Sequence, residues 1–305
     1  MQYELIIIGG GPAGVSAGVY AARKKIKTLF ITESFDNQSI VSPDIQNWIG
    51  TISISGVNLA KSLEAHLRAY AGTDVEIRTG DRVQTVEKTE GGFIVKTKEE
   101  SFETKTILVA TGSTRRKLDV PGADKFEHKG LTYCATCDGP IFSGQDVAVV
   151  GGGNAAFETA AQLSAYCKTV TLINRSEKYR ADEVTVAKVL AKENVKAIAP
   201  VTLKEIVGDT FVSGISYEEN GESKILPVTG VFVEIGLLPQ TDYIKDVAER
   251  NPIGQVVVDP KTQMSKTPGI WAAGDCTDGL YHQNNIAAGD AVKALEDIYN
   301  YIHTK

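Results

Sequence analysis

Leu5-Ile6-Ile7-Ile8-Gly9-Gly10-Gly11-Pro12-Ala13-Gly14 is an apolar run ending in G-x-G-x-x-G, and it recurs 142 residues later as Val147-Ala148-Val149-Val150-Gly151-Gly152-Gly153-Asn154-Ala155-Ala156. Behind each copy lies a segment of helix-like composition, Val15 to Arg23 and Phe157 to Tyr166, then a second apolar run, Thr28 to Ile31 and Val170 to Ile173. Strand, glycine turn, helix and strand in that order predict a dinucleotide-binding unit used twice, hence an α/β chain with two Rossmann-like domains. The glycines have separate tasks. Gly9 and Gly151 permit the tight turn, Gly11 and Gly153 let the backbone approach a pyrophosphate, and Gly14 or Ala156 lets helix and strand pack closely. Pro12 and Ala13 in one copy, and Asn154 and Ala155 in the other, open the helix whose N–H groups face the anion.

The same offset pairs Glu33 with Arg175 at the ends of the second strands. A carboxylate there accepts from a ribose 2′-hydroxyl, whereas an arginine suits a 2′-phosphate. The first site is therefore read for FAD and the second for NADPH. Two other strand-to-turn segments, Ile107 to Thr111-Gly112 and Thr267 to Gly274-Asp275, resemble the secondary signatures of FAD-dependent reductases, where the aspartate bonds the ribityl chain. Asp275 then belongs with Gly9, which makes the first domain discontinuous. The expected division is residues 1–116 with 244–305 for FAD and an inserted 117–243 for NAD(P)H. The linkers are Arg115-Arg116-Lys117 and Leu238-Pro239-Gln240-Thr241, a two-strand hinge.

Composition agrees with small-molecule chemistry. A length of 305 residues predicts about two domains, and a net charge of −6 without a block of like charges argues against a nucleic-acid face or a polybasic membrane anchor. Met1 to Ile8 has neither the basic start of a signal peptide nor the length of a membrane span, so a cytoplasmic protein is expected.

Two of the four cysteines form Cys134-Ala135-Thr136-Cys137. A structural zinc site needs four ligands, and neither a second C-x-x-C nor an H-x₃₋₅-H completes one. Two inert cysteines in a turn are a further reading. A redox dithiol is favoured, since this spacing lets the sulfurs close a small ring and lowers the pKa of the attacking thiol. Asp138 follows directly as a candidate proton donor and acceptor.

The stretch from Cys134 through Asp138-Gly139 and Phe142 to Gly151-Gly152-Gly153-Asn154 resembles the active-site signature of low-molecular-weight thioredoxin reductases. It is also similar to the flavoprotein component of alkyl hydroperoxide reductase. The likeness extends to Asn47-Trp48, Thr111-Gly112, Gly236 to Pro239, Gly274-Asp275 and Gln283. It implies that Cys137 exchanges electrons with the flavin, that Cys134 attacks a protein disulfide such as that of thioredoxin, and that Asp138 is the acid/base. It also implies a homodimer and rotation of the inserted domain between two states.

Several positions depart from the family pattern. The 2′-phosphate run His-Arg-Arg with a later arginine reads Asn174-Arg175-Ser176, then Arg180, so NADPH is favoured over NADH with weaker discrimination. On the flavin side, the usual Gly-Gly-Gln is Asp36-Asn37-Gln38, Asn-Trp-Pro-Gly is Asn47-Trp48-Ile49-Gly50, and His282 precedes Gln283 and Asn284. These leave the donor open. A reductase of a peroxidase or other dithiol partner, driven by NADH or ferredoxin, and a dithiol oxidase are the alternatives. From Ile286 to Ile302, residues Ala287, Val292, Leu295, Ile298, Tyr299 and Ile302 recur at helical spacing and predict a packing face.

Overall fold

The structure, a computed structural model, describes residues 2–42 and 44–304. β1 (Tyr3–Ile8), α1 (Pro12–Arg23) and β2 (Thr28–Thr32) form the first strand-turn-helix-strand unit. α2 (Gly56–Ala71), β3 (Val75–Thr79), β4 (Thr85–Lys88), β5 (Phe93–Lys96) and β6 (Ser101–Val109) follow. Their sheet has the order β3-β2-β1-β6-β5-β4, parallel as far as β6 and antiparallel beyond it. Strand β1 reads almost wholly apolar because both its faces are covered. Leu5 and Ile7 face a core shared with Val15, Leu63 and Leu67, whereas Ile6 and Ile8 face Val95 and Phe102. A Cβ on Gly18 of α1 would come within 2.6 Å of Leu67 Cδ1, so α1 and α2 touch where a side chain is missing.

β7 (Ser113–Arg115) leads into a second set of elements. They are α3 (Ala123–Phe126), β8 (Leu131–Thr132), α4 (Ala135–Asp138), β9 (Asp146–Val150), α5 (Asn154–Leu163), β10 (Thr169–Ile173), α6 (Glu183–Leu190) and β11 (Val195–Ile198). An antiparallel trio, β12 (Thr202–Gly208), β13 (Val212–Glu219) and β14 (Glu222–Pro227), precedes β15 (Gly230–Val233). The parallel sheet here has the order β11-β10-β9-β15-β8. β16 (Leu237–Pro239), β17 (Ile270–Ala272) and α7 (Asn284–Thr304) complete the chain, with β17 paired to β6.

The chain divides into two compact units, Met1–Thr114 with Leu238–Lys305, and Arg115–Leu237. β7 and β16, which carry the two crossings, pair with each other. In α7 the buried face runs through Ala287, Ala291, Ala294, Leu295 and Ile298. Val292, Tyr299 and Ile302, expected in the stripe, are half-buried, and Tyr299 and Ile302 pack against the edge of that core. None of the described helices is long and apolar enough to cross a membrane.

Candidate active site

The two glycine turns repeat one another bond for bond. Gly9 N donates to Ile31 O (2.9 Å) and Ala110 N to Ile8 O (2.8 Å); Gly151 N donates to Ile173 O (3.0 Å) and Glu234 N to Val150 O (2.8 Å). Gly9 (φ +122°) and Gly151 (φ +152°) hold backbone that side chains disfavour, and a Cβ would lie 2.2 Å from Ala110 O or 2.3 Å from Glu234 O. At Gly11 and Gly153 the situation is reversed. A Cβ on Gly11 would meet only Asn37 Cβ, at 3.9 Å, and one on Gly153 nothing within 4 Å. These positions bare the backbone toward open space. Neither α1 nor α5 has a side-chain N-cap or an acid in its first turn. Free N–H groups at the positive end of a helix dipole fit a pyrophosphate in both places.

In the unit containing Gly9, a cavity of about 850 Å³ is lined by Gly9, Gly11, Pro12, Ala13, Glu33, Gln38, Thr111, Gly112, Gly274, Asp275 and Asn284, among others. The segments assigned to FAD from distant parts of the sequence thus share one wall. Gln38 Nε2 donates to Ser113 O and to Asp275 Oδ2 (3.3 Å), and Thr111 Oγ1 donates to Gln240 O (2.6 Å). Four assigned residues do not line the cavity. Gly14 lies beneath the turn, where a Cβ would be 1.9 Å from Gly9 O. Asn47 Nδ2 donates to Gln283 Oε1 (3.2 Å), which ties that loop to the start of α7, and His282 Nδ1 is 3.5 Å from Asp275 Oδ1. Glu33 is exposed at the end of β2, where a ribose edge would lie.

Around the second turn, Arg180 N and Ala181 N both donate to Gly152 O (2.7 and 3.2 Å), and Asp182 N donates to Asn154 Oδ1 (2.9 Å). Buried Asn174 donates from Nδ2 to Ser176 O (2.6 Å) and packs on Gly152 so closely that a Cβ there would be 2.5 Å from Oδ1. The loop that displays the exposed Arg175 and Arg180 is therefore fastened to the turn through backbone and Asn174. Asn154 spends its carbonyl on this loop, and Ala155 and Ala156 open α5 on its exposed and buried sides.

Cys134 and Cys137 are joined as a disulfide, with Cα atoms 5.3 Å apart, across the start of α4. Cys137 N donates to Cys134 Sγ (3.2 Å), so Cys134 has a donor ready for a thiolate. Asp138 Oδ2 accepts from Thr132 Oγ1. The other two cysteines are buried, and burial pushes their thiols up to about 11 at Cys167 and about 12 at Cys276, which keeps both protonated at neutral pH.

Glu234 was not foreseen from the sequence. It occupies in the second copy the place Ala110 has in the first, with its carboxylate accepting from Thr159 Oγ1 (3.0 Å) and 3.9 Å from Arg115 Nη1. Burial raises its proton affinity, against the opposing pull of Arg115 and Thr159. A carboxyl raised on folding contributes stability that is complete below the ordinary glutamate range and is lost as pH rises through its folded value. Glu234→Gln should therefore unfold like the wild type at pH 4 and at a higher temperature than the wild type at pH 8 in thermal melts of the cofactor-free protein.

Two glycine turns that fit a pyrophosphate and a C-x-x-C disulfide are the features of flavin- and nucleotide-dependent disulfide oxidoreductases. A model of the pyridine nucleotide-disulphide oxidoreductase family matches residues 3–291, and the chain belongs to that family, with FAD and a reduced pyridine nucleotide as cofactors. It is similar to the thioredoxin reductase of Streptococcus pyogenes (TM-score 0.90, 34% identity, 99% of both chains). Likewise, the thioredoxin reductase of Giardia duodenalis superposes with a TM-score of 0.92 at 31% identity over 98% of both chains. Among curated relatives, an NADH dehydrogenase of Bacillus subtilis is 38% identical over 98% of this chain and 58% of its own length. An alkyl hydroperoxide reductase component of Staphylococcus epidermidis is 36% identical over 98% and 59%. The chain thus spans under three fifths of the curated relatives it matches.

Proposed function

We propose that this protein is an FAD-dependent disulfide reductase that passes electrons from NADPH through Cys134–Cys137 to the disulfide of a thioredoxin-like protein. The observation that carries the reading is the Cys134–Cys137 disulfide, with Asp138 adjoining it, in the same unit as the second glycine turn. FAD, when bound, supplies the relay between a two-electron hydride donor and a dithiol. Gly11, the α1 N-terminus, Glu33, Thr111 and Asp275 would hold it; Gly153, the α5 N-terminus, Arg175 and Arg180 would hold the nucleotide. Cys134 attacks the partner, Cys137 resolves the mixed disulfide and would exchange electrons with the flavin, and Asp138 moves the proton. One flavin has to serve both a nucleotide and a dithiol carried by residues 115–237, which supports alternation about β7 and β16. A homodimer completes the proposal, as in the family resemblance.

The test is anaerobic titration of the yellow protein with NADPH and separately with NADH, followed by oxidised thioredoxin. Loss of flavin absorbance with NADPH and its return with thioredoxin are expected; no response to either nucleotide sinks the reading. Ser176, in place of a family arginine, and the names of the curated relatives favour a second reading, an NADH-driven reductase of a peroxidase partner. Arg175→Ala separates the two. If the 2′-phosphate is bound there, loss of one charge-assisted bond raises KM for NADPH about 10- to 100-fold and leaves KM for NADH unchanged.

A further inference from the structure

Thr132 ends β8, a two-residue strand held in parallel register against β15 through the pair Phe232 and Thr132. Its side chain is buried, and its hydroxyl touches the dithiol loop twice. Cys134 N donates to Thr132 Oγ1 (3.4 Å), and Thr132 Oγ1 donates to Asp138 Oδ2. Asp138 N also donates to Cys134 O (3.0 Å), closing the loop on itself. One hydroxyl on a sheet strand thus fixes the residue before the first helical position and the carboxylate at the end of the same short helix. Asp138 is half-buried at the end of a four-residue helix, and this bond limits its rotation.

We propose that Thr132 is a positioning residue for dithiol exchange: by spanning the Cys134 amide and the Asp138 carboxylate, it aims Asp138 to protonate the thiolate that leaves the partner. The inference rests on the disulfide-reductase reading above. In the reduced protein, Cys134 ionises and its proton passes to Asp138. Cys134 Sγ then attacks one sulfur of the partner disulfide; the new S–S bond forms, the partner's own S–S bond breaks, and its departing sulfur takes the proton from Asp138. Cys137 gives its proton to water and, as a thiolate, attacks Cys134 Sγ, restoring the Cys134–Cys137 disulfide and releasing the second partner thiolate, which takes that proton back from water. Two electrons move from the dithiol to the partner, and Asp138 ends as it began.

A thiol of low pKa leaves without help, whereas one of high pKa benefits from an acid. The full-length protein, reduced with dithiothreitol and freed of it anaerobically, is therefore mixed with two probes at pH 7. One is 5,5′-dithiobis(2-nitrobenzoate), a good leaving group, and the other bis(2-hydroxyethyl) disulfide, a poor one. Thr132→Val, which keeps shape and loses the hydroxyl, should slow reaction with the hydroxyethyl probe about tenfold and with the nitrobenzoate probe less than about twofold. Thr132→Ser should restore the hydroxyethyl rate, and Asp138→Asn should reproduce the selective loss. Equal slowing with both probes, or no change with either, overturns the proposal, the former meaning that Thr132 only props the loop. Should Thr132→Val not fold, Thr132→Ala carries the same comparison. Because no nucleotide is used, a wild type whose disulfide NAD(P)H cannot reduce would reject the proposed function while the probe ratio still decides the role of Thr132.

Discussion

Gly11→Val is expected to give a folded, colourless protein whose FAD affinity is at least about a hundredfold weaker. A side chain at position 11 meets nothing in the fold closer than Asn37 Cβ at 3.9 Å, and the backbone there is extended (φ −78°, ψ −174°), so valine strains nothing. It occupies the open space into which a pyrophosphate must come to meet the N–H groups of α1. Bonds to a charged group contribute about 1.5–3 kcal/mol each, so losing two costs about 3–6 kcal/mol, or 10²- to 10⁴-fold in affinity. The measurements are flavin absorbance after purification and reconstitution, and thermal unfolding compared with flavin-stripped wild type. A Gly11→Val protein that purifies with a full complement of FAD rejects the cradle. Gly14→Val is the control with the opposite outcome, since its Cβ would be 1.9 Å from Gly9 O and the protein should fail to fold.

Cys134→Ser and Cys137→Ser should each lower NADPH-driven reduction of a partner disulfide by at least about a thousandfold, the order expected when a nucleophile is removed. Their side products should differ. With Cys137 gone, Cys134 can attack but nothing resolves the product, so Cys137→Ser accumulates a mixed disulfide with thioredoxin on a non-reducing gel. With Cys134 gone, no such adduct should form. The amide of Cys137, 3.2 Å from Cys134 Sγ, supports this assignment by offering the Cys134 thiolate a donor. An adduct formed only by Cys134→Ser would reverse the two roles.

The two glycine turns could be read from the sequence because their task is a backbone constraint. Gly9 and Gly151 stand where no other residue fits, and the apolar strands before them have to be apolar because both faces are buried, so one offset of 142 exposes both units. Glu234 escaped for a related reason. Its counterpart Ala110 lies 124 residues away rather than 142, because the first copy is longer between its second and third strands, where α2 has 16 residues and the corresponding α6 only 8 and the loop before α2 is also longer. Thr132 left no periodic trace in a strand of two residues. The gathering of Gln38, Thr111 and Asp275 on one cavity depends on β17 pairing with β6, a long-range register that only the two strand-to-turn likenesses hinted at.

The loop after β10 is anchored to Gly152 by main-chain bonds and by the inward Asn174, while positions 175, 176 and 180 carry their side chains outward. On the proposed reading, recognition of the donor's adenosine end would be separable from the scaffold that displays it. Exchanging three surface side chains would then shift coenzyme preference in either direction without a change in chain length or fold, and Ser176→Arg is expected to lower KM for NADPH relative to NADH in steady-state kinetics.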